Sequence, residues 1–461
     1  MTSLAQALAR AGLAAASLPL AACPSGESLV GAGPDAEVRT APAEGLLAEI
    51  AAAARPIGGA ARDYDPLLEA TRAARFVLLG EATHGTHEFY RERARISMRL
   101  VREQAARAVV IEGDWPDAGR VNRYVRGLGT DSSARQALSD FADFPRWMWR
   151  NAEFAEFVEA LRTHNAALPF AQRVGVYGMD VYNLFGAADA VVGYLAGVDR
   201  AAADRARAQY RCFSPYRPDP ARYGEATRNP GRSCERQAAA VLAELRGRPR
   251  PADAEAAEAL FTAVRSAASV VGAEEYNRTA SVGTLAWNVR DRRMAATVSE
   301  IADHVAAHSG GTGKVVVWAH NSHVGDARAT EMPLRGEVNL GQLLRERFGE
   351  AVFLLGFTTF QGTVVAADRW NGPHRVHKLR TALPESYAGV FHRAGLDDAL
   401  LLLPKNSAVA EALGWPRRKR EVGVIYAPES EIESHYTRTR LAGQFDAVIH
   451  FDRTRALTPL G

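Results

Sequence analysis

RFVLLGEATHGTHEFYRERAR, residues 75–95, decides the fold. The short apolar run Phe76–Leu79 reads as a buried strand of a parallel sheet. It stops at Gly80 and releases Glu81 and His84 into a Gly/Thr-rich turn, after which residues 87–104 carry helical periodicity. A carboxylate and an imidazole delivered together at a strand's C-terminal end stand where open α/β sheets build active sites.

At about 100° per residue, Phe89, Tyr90, Ile96, Ser97 and Leu100 share one face of that helix. Arg91, Glu92, Arg95, Arg99 and Arg102 share the other, and Glu88 faces outward with them. Arg93 falls inside the apolar face. A guanidinium there needs a charged partner, because unpaired burial is costly, unless it lies at the stripe's edge and its head reaches water.

Further strands are read at residues 106–111, 174–178, 314–318, 351–357, 421–426 and 447–451. Residues 187–306 read as almost wholly helical, with breaks at 213–232 and 247–251. That is too long for one crossover helix and implies an insertion that caps the C-terminal edge of the strands. Strands alternating with helices make the chain α/β, a largely parallel sheet flanked by helices. Four strand ends then carry chemistry to one sheet edge: Glu81 with His84, Glu112, Asp180, and His320 with His323.

The 461 residues are 47% hydrophobic and 24% charged with a net charge of +3, as in a soluble globular protein. No basic run with interleaved aromatics marks a nucleic-acid groove; the cluster Arg417-Arg418-Lys419-Arg420 reads as a solvated loop. No apolar stretch reaches the roughly 20 residues that span a bilayer. Residues 1–44 form a separate segment, an Ala/Leu-rich run followed by a flexible tether. Leu20-Ala21-Ala22-Cys23 matches the site at which bacterial lipoproteins are cleaved and acylated, which favours export with membrane anchoring only through a lipid on Cys23; an alanine-rich extension is the competing reading. Residues 45–461 form the working domain. Cys212 and Cys234 either close one disulfide or stay unpaired.

No Gly-x-Ser-x-Gly elbow stands near a strand end, so hydrolysis falls to a water activated by a general base. Histidine suits that role near neutral pH. A neighbouring carboxylate would fix its tautomer, and a buried arginine would hold that carboxylate ionised or stabilise an oxyanion. The rival is a metal site, since Glu81, His84, Glu112, His320 and His323 suffice to ligate Zn²⁺ or Mn²⁺. Trp147, Trp149 and Tyr182 are read as the apolar wall of the cleft, or else as core aromatics under the cap, and Asp180 as a substrate contact. Asp291 and Arg292 after Trp287 could place a second ion pair near the site, against the reading of a helical surface pair of little weight.

LLGEATHGTHEFY (78–90), VIEGDWPD (110–117), YGMDVY (177–182), WNVRDRRMA (287–295) and VWAHNSHVGD (317–326) together resemble the erythromycin esterase family, whose fold is similar to that of haem-binding ChaN-like lipoproteins. The resemblance implies hydrolysis of a small-molecule ester, a macrolide lactone such as that of erythromycin, by water without a covalent intermediate, and with it macrolide resistance. It implies His84 as base, Glu81 and Glu112 as supporting acids, and Arg93, His320 and His323 as partners in stabilising the oxyanion or binding substrate. No cofactor is implied, and a monomer is expected. A metal-dependent hydrolase and a haem- or ligand-binding lipoprotein are the alternatives.

Overall fold

A computed structural model describes residues 44–461; the lipobox-like segment ending at Cys23 lies outside them. The strands are β1 (Arg55–Pro56), β2 (Phe76–Leu79), β3 (Ala108–Asp114), β4 (Gly175–Asp180), β5 (Val315–Trp318), β6 (Val352–Ala367), β7 (His374–Leu379), β8 (Asp398–Leu402), β9 (Arg417–Arg420), β10 (Tyr436–Thr439) and β11 (Ala447–Thr454). Nine of them form one sheet in the order β1-β8-β11-β6-β2-β5-β3-β4, with β7 paired to β6. The six strands from β11 to β4 are parallel. The additions β8, β1 and β7 run antiparallel.

Helices cover both faces, which is why the central strands are apolar throughout and not alternating. Val77, Leu79, Val109, Ile111 and Val316 pack on one side with Phe89, Ile96 and Leu100 of α1 (His87–Gln104). Their sequence neighbours Phe76, Leu78, Val110, Val315 and Val317 point the other way, as the period of two requires. These meet Met294, Val298 and Ile301 of α2 (Gly283–Ser309).

Residues 184–309 are the helical insertion between β4 and β5. Its helices Leu184–Val198, Arg200–Tyr210 and Glu235–Arg246 build a core of their own against Ala254–Thr279. Cys212 is bonded to Cys234 within it. The break expected at 213–232 holds one short α-helix, Pro220–Ala226, between 3₁₀ turns at Arg211–Tyr216 and Pro230–Arg232.

Three sequence expectations change. Glu88 and Glu92, placed outward by periodicity, are buried. The C-terminal tail and an N-terminal helix lie over that side of α1: Glu88 takes the Arg455 backbone N–H at 2.7 Å, and Glu92 the Tyr64 hydroxyl at 2.6 Å. Residues 421–426 form no ladder strand; Val422 and Ile425 make single bridges to Thr83 and Ala367. The cluster read as a solvated loop is instead β9, paired with β10 and largely buried. Arg420 is held there by Glu431 at 3.0 Å and by the carbonyls of Thr359, Phe360 and Arg380.

Candidate active site

The turn after β2 is clamped from three directions. Asn321 N–H donates to Glu81 O (2.9 Å), Val422 N–H to Ala82 O (2.8 Å) and Val365 N–H to Gly85 O (3.0 Å). Gly85 must be glycine, since a Cβ there would run into the Val365 backbone. This rigid frame aims two side chains at one another. His84 Nδ1 lies 2.9 Å from Glu81 Oε1, and Arg93 Nη2 donates to Glu81 Oε2 at 2.8 Å. Glu81 and Arg93 are both fully buried. The Arg93 guanidinium also lies over the rings of Tyr90 (4.2 Å) and Trp318 (4.8 Å), a cation–π seat in place of water. Arg93 thus meets its charged partner in the core and acts on His84 only through Glu81. With Nδ1 committed to Glu81, His84 keeps Nε2 without a partner among the described residues.

A second cluster stands at the ends of β3, β4 and β5. Arg290, from α2, forks onto Asp180 (Nε–Oδ1 2.9 Å, Nη2–Oδ2 2.6 Å) and also reaches Glu112 Oε1 at 2.8 Å. The other Glu112 oxygen accepts the His320 backbone N–H at 2.8 Å. His323 is held at Nδ1 by Asp291 (2.9 Å) and stacks on Trp287, with ring centroids 4.6 Å apart. Its Nε2 faces Arg290 Nη1 at 2.9 Å and Glu112 Oε1 at 3.3 Å, so it accepts from the first when neutral and donates to the second when protonated.

The charges follow from these contacts. Burial works against ionised Glu112, but His323 and Arg290 outweigh it and hold the carboxyl well below its usual range. Burial likewise disfavours protonated His323, yet Asp291 and Glu112 prevail and push it up to about 9. His320 goes the other way: burial, then the neighbouring His84, lower it to about 3, so the ring is neutral. Its Nδ1 lies 2.8 Å from Ser322 Oγ and accepts the Ser322 N–H at 3.3 Å as the cap of a short helix; with Nδ1 accepting, the ring proton stands on Nε2. That Nε2–H is buried and has no partner among the described residues. The rings of His84 and His320 are 4.9 Å apart.

The structure therefore joins Glu81, His84 and Arg93 in one relay, and Glu112, Asp180 and His323 in another, with His320 between them. Asp180 is buried and its carboxylate is taken by Arg290. Trp149 is core: it is buried and donates through Nε1 to Glu112 O at 2.9 Å. Tyr182 is half-buried with its ring 5.0 Å from the Arg290 guanidinium. Trp147 is buried, and it lines a separate pocket. Among the described residues, no three His, Cys, Asp or Glu side chains are grouped to hold a metal ion. Guanidiniums stand beside Glu81, Glu112 and Asp180 where a cation would have to approach.

Sequence reasoning missed Arg290 and left Asp291 between an ion pair near the site and a surface pair. Both lie in WNVRDRRMA, which was a usable signal. Adjacent helical positions point in different directions, and Asp291 turns inward to His323 while Arg292 is exposed. Glu421 was also missed. It precedes Val422 on the segment that clamps the turn, binds Lys419 at 2.6 Å, and its carboxylate is felt by His320.

A family model described as erythromycin esterase matches residues 101–454. That span contains Glu112, Asp180, Arg290, His320 and His323 and begins after the Glu81–His84 turn. Among solved structures, a succinoglycan biosynthesis protein is 20% identical, with a TM-score of 0.72 over 90% of this chain and 98% of its own. A Bacillus cereus protein is 20% identical, with a TM-score of 0.73 over 90% and 99%. An erythromycin esterase mutant in its open conformation is 17% identical, with a TM-score of 0.60 over 85% and 94%. These likenesses are of fold.

Proposed function

The chain belongs to the erythromycin esterase family, and from that premise we propose that it hydrolyses an ester, a macrolide lactone being the first substrate to try, with water activated by His84. The observation that carries this reading is the pair of facing imidazoles, one with an unpartnered Nε2 and the other with an unpartnered, buried Nε2–H.

His84 Nε2 accepts a proton from water as the water oxygen bonds to the ester carbonyl carbon. Glu81 stabilises the resulting imidazolium through Nδ1–H, and Arg93 holds the other Glu81 oxygen so that the carboxylate stays turned to the ring. His320 is neutral and donates Nε2–H to the oxygen that gains charge; such a donor is worth about 3–4 kcal/mol in measured cases. Collapse breaks the carbon–oxygen bond, and His84 returns its proton to the departing alkoxide. The products are a carboxylic acid and an alcohol, joined in one chain when a lactone is opened. Arg290 and His323 hold Glu112, which fixes the His320 backbone.

The test is mass spectrometry of erythromycin and a panel of small esters after incubation with the protein, looking for addition of one water. His84→Ala should cut turnover by roughly 10²–10⁴. Wild-type turnover in a folded His84→Ala protein would reject the base. Loss of turnover on EDTA treatment, restored by Zn²⁺ or Mn²⁺, would reject the metal-free step.

A further inference from the structure

The ends of the strands away from the catalytic cluster carry charge of a different kind. Arg107 precedes β3, Arg173 lies just before β4, and Arg126 follows the helix Trp115–Val125. Together they line one pocket of about 20 Å³, closed by Phe170 and, from the helical insertion, by Glu258 and His304. Arg107 and Glu112 are separated by roughly 16 Å of strand, and none of these side chains enters the relays described above.

The guanidiniums are held close together with little to oppose them. Arg126 is 5% exposed. Its Nε donates to Asn122 Oδ1 at 3.1 Å and its Nη2 to Tyr177 Oη at 2.6 Å, which leaves Nη1 without a partner among the described residues. Arg173 Nη1 donates to the Arg126 carbonyl at 2.6 Å, and both guanidiniums lie over the Phe170 ring, 5.3 and 5.9 Å from its centroid. Arg107 makes no side-chain hydrogen bond or ion pair among the described residues. The carboxylate in the wall is already shared. Glu258 Oε1 accepts from Asn122 Nδ2 at 3.0 Å and from Tyr177 Oη at 2.9 Å; Oε2 accepts from His304 Nε2 at 2.7 Å and lies 3.6 Å from Arg126.

Three guanidiniums against one carboxylate leave the pocket positive. Ala254, the first residue of a 26-residue helix, lines it too and adds the positive end of that dipole, while Asp253 is occupied in capping the Ala256 N–H at 2.8 Å. An anion is the complement. Size decides which one. The volume is little more than the ~10–15 Å³ that one water needs, so a single atom fits and a tetrahedral oxyanion does not.

We propose that this pocket binds one chloride ion. Chloride accepts from the open N–H groups of Arg107, Arg126 and Arg173, relieves the repulsion among them, and ties the N-terminal ends of β3 and β4 to the helical insertion. An ion that binds the folded chain and not the unfolded one stabilises the fold by mass action. Its effect therefore falls on stability, and the site is independent of the esterase reading.

The test reads the ion directly and then its effect. The ³⁵Cl line of NaCl should broaden when the protein is added, and equimolar bromide should narrow it again by competing, whereas equimolar phosphate should leave it broad. Arg107→Gln removes a guanidinium that no described residue holds, and it should weaken chloride binding roughly tenfold. Urea unfolding in NaCl and in sodium gluconate of the same ionic strength separates the ion from screening. The wild-type midpoint should be higher in chloride and rise with its concentration. Arg107→Gln should match or exceed the wild type in gluconate, having lost a repulsion, and should lose most of the chloride response. Phosphate that narrows the line as well as bromide does overturns the monatomic class. No broadening, equal wild-type midpoints in the two salts, or a chloride response undiminished in Arg107→Gln overturns the site.

Discussion

Replacing Arg290 by methionine keeps most of the side-chain volume and removes the one guanidinium that contacts Glu112, Asp180 and His323 together. Both carboxylates are almost fully buried. Deleting one partner of a buried ion pair costs about 3–5 kcal/mol, because the charge left behind is uncompensated. The cost depends on pH with a definite sign. In the native protein Glu112 ionises well below its usual value, so its contribution is present above the unfolded carboxylate pKa of about 4.3 and is lost only as pH falls through the depressed value. Without Arg290 burial is less opposed and the carboxyl pKa rises. The ionised group then penalises the fold at high pH, and protonation relieves it on acidification. The deficit shrinks between pH 8 and pH 5 by about 1.4 kcal/mol for each unit by which the carboxyl pKa of the variant stands above 5. Urea unfolding at both pH values, compared at constant m, measures it. Arg290→Lys should fall between the two, having the charge without the fork. A deficit under about 1 kcal/mol at pH 8 would refute the assignment of Arg290 as the counter-charge of this cluster.

Glu81→Gln should lower turnover by roughly 10²–10⁴ and, by stranding Arg93, destabilise the fold by about 3–5 kcal/mol; adding Arg93→Met should recover stability in urea unfolding and leave turnover low. His320 is lowered to about 3 against an unfolded value of about 6.5. Its neutral ring therefore costs stability as pH falls from 6.5 toward 3, and its ¹³C ring signal should report the neutral form at pH 5; a midpoint near 6 would contradict the neutral donor. Reducing the Cys212–Cys234 bond, 22 residues apart, should lower the stability of the helical insertion by about 3 kcal/mol, seen as faster amide exchange confined to residues 184–309.

Strand ends and the period of α1 were legible from residue order alone. Apolar runs stop where the backbone leaves the sheet, so Glu81, His84, Glu112, Asp180, His320 and His323 could be assigned to one edge before any coordinate was known. Arg93 was legible for a sharper reason: a charge on an apolar stripe demands a partner, and the structure supplies Glu81.

Periodicity failed where a third layer was involved. It separates the two sides of a helix and says nothing of what else packs on the outer one, so Glu88 and Glu92 were read as exposed. The cluster at Arg417–Arg420 misled for the same reason, since the carbonyls and carboxylate that let it be buried come from residues 359, 360, 380 and 431. Arg290 and Asp291 are the clearest case. Both sit on a long helix in WNVRDRRMA, a stretch that carries the resemblance without saying which buried charges it meets, and Arg290 finds Asp180 from 110 residues away. Local sequence determines which backbone forms and where it ends, because those preferences are set by neighbouring residues. Which buried charge answers which is decided only when distant segments meet, because the energy of a buried ion depends on the partners within a few ångströms of it and not on its place in the chain.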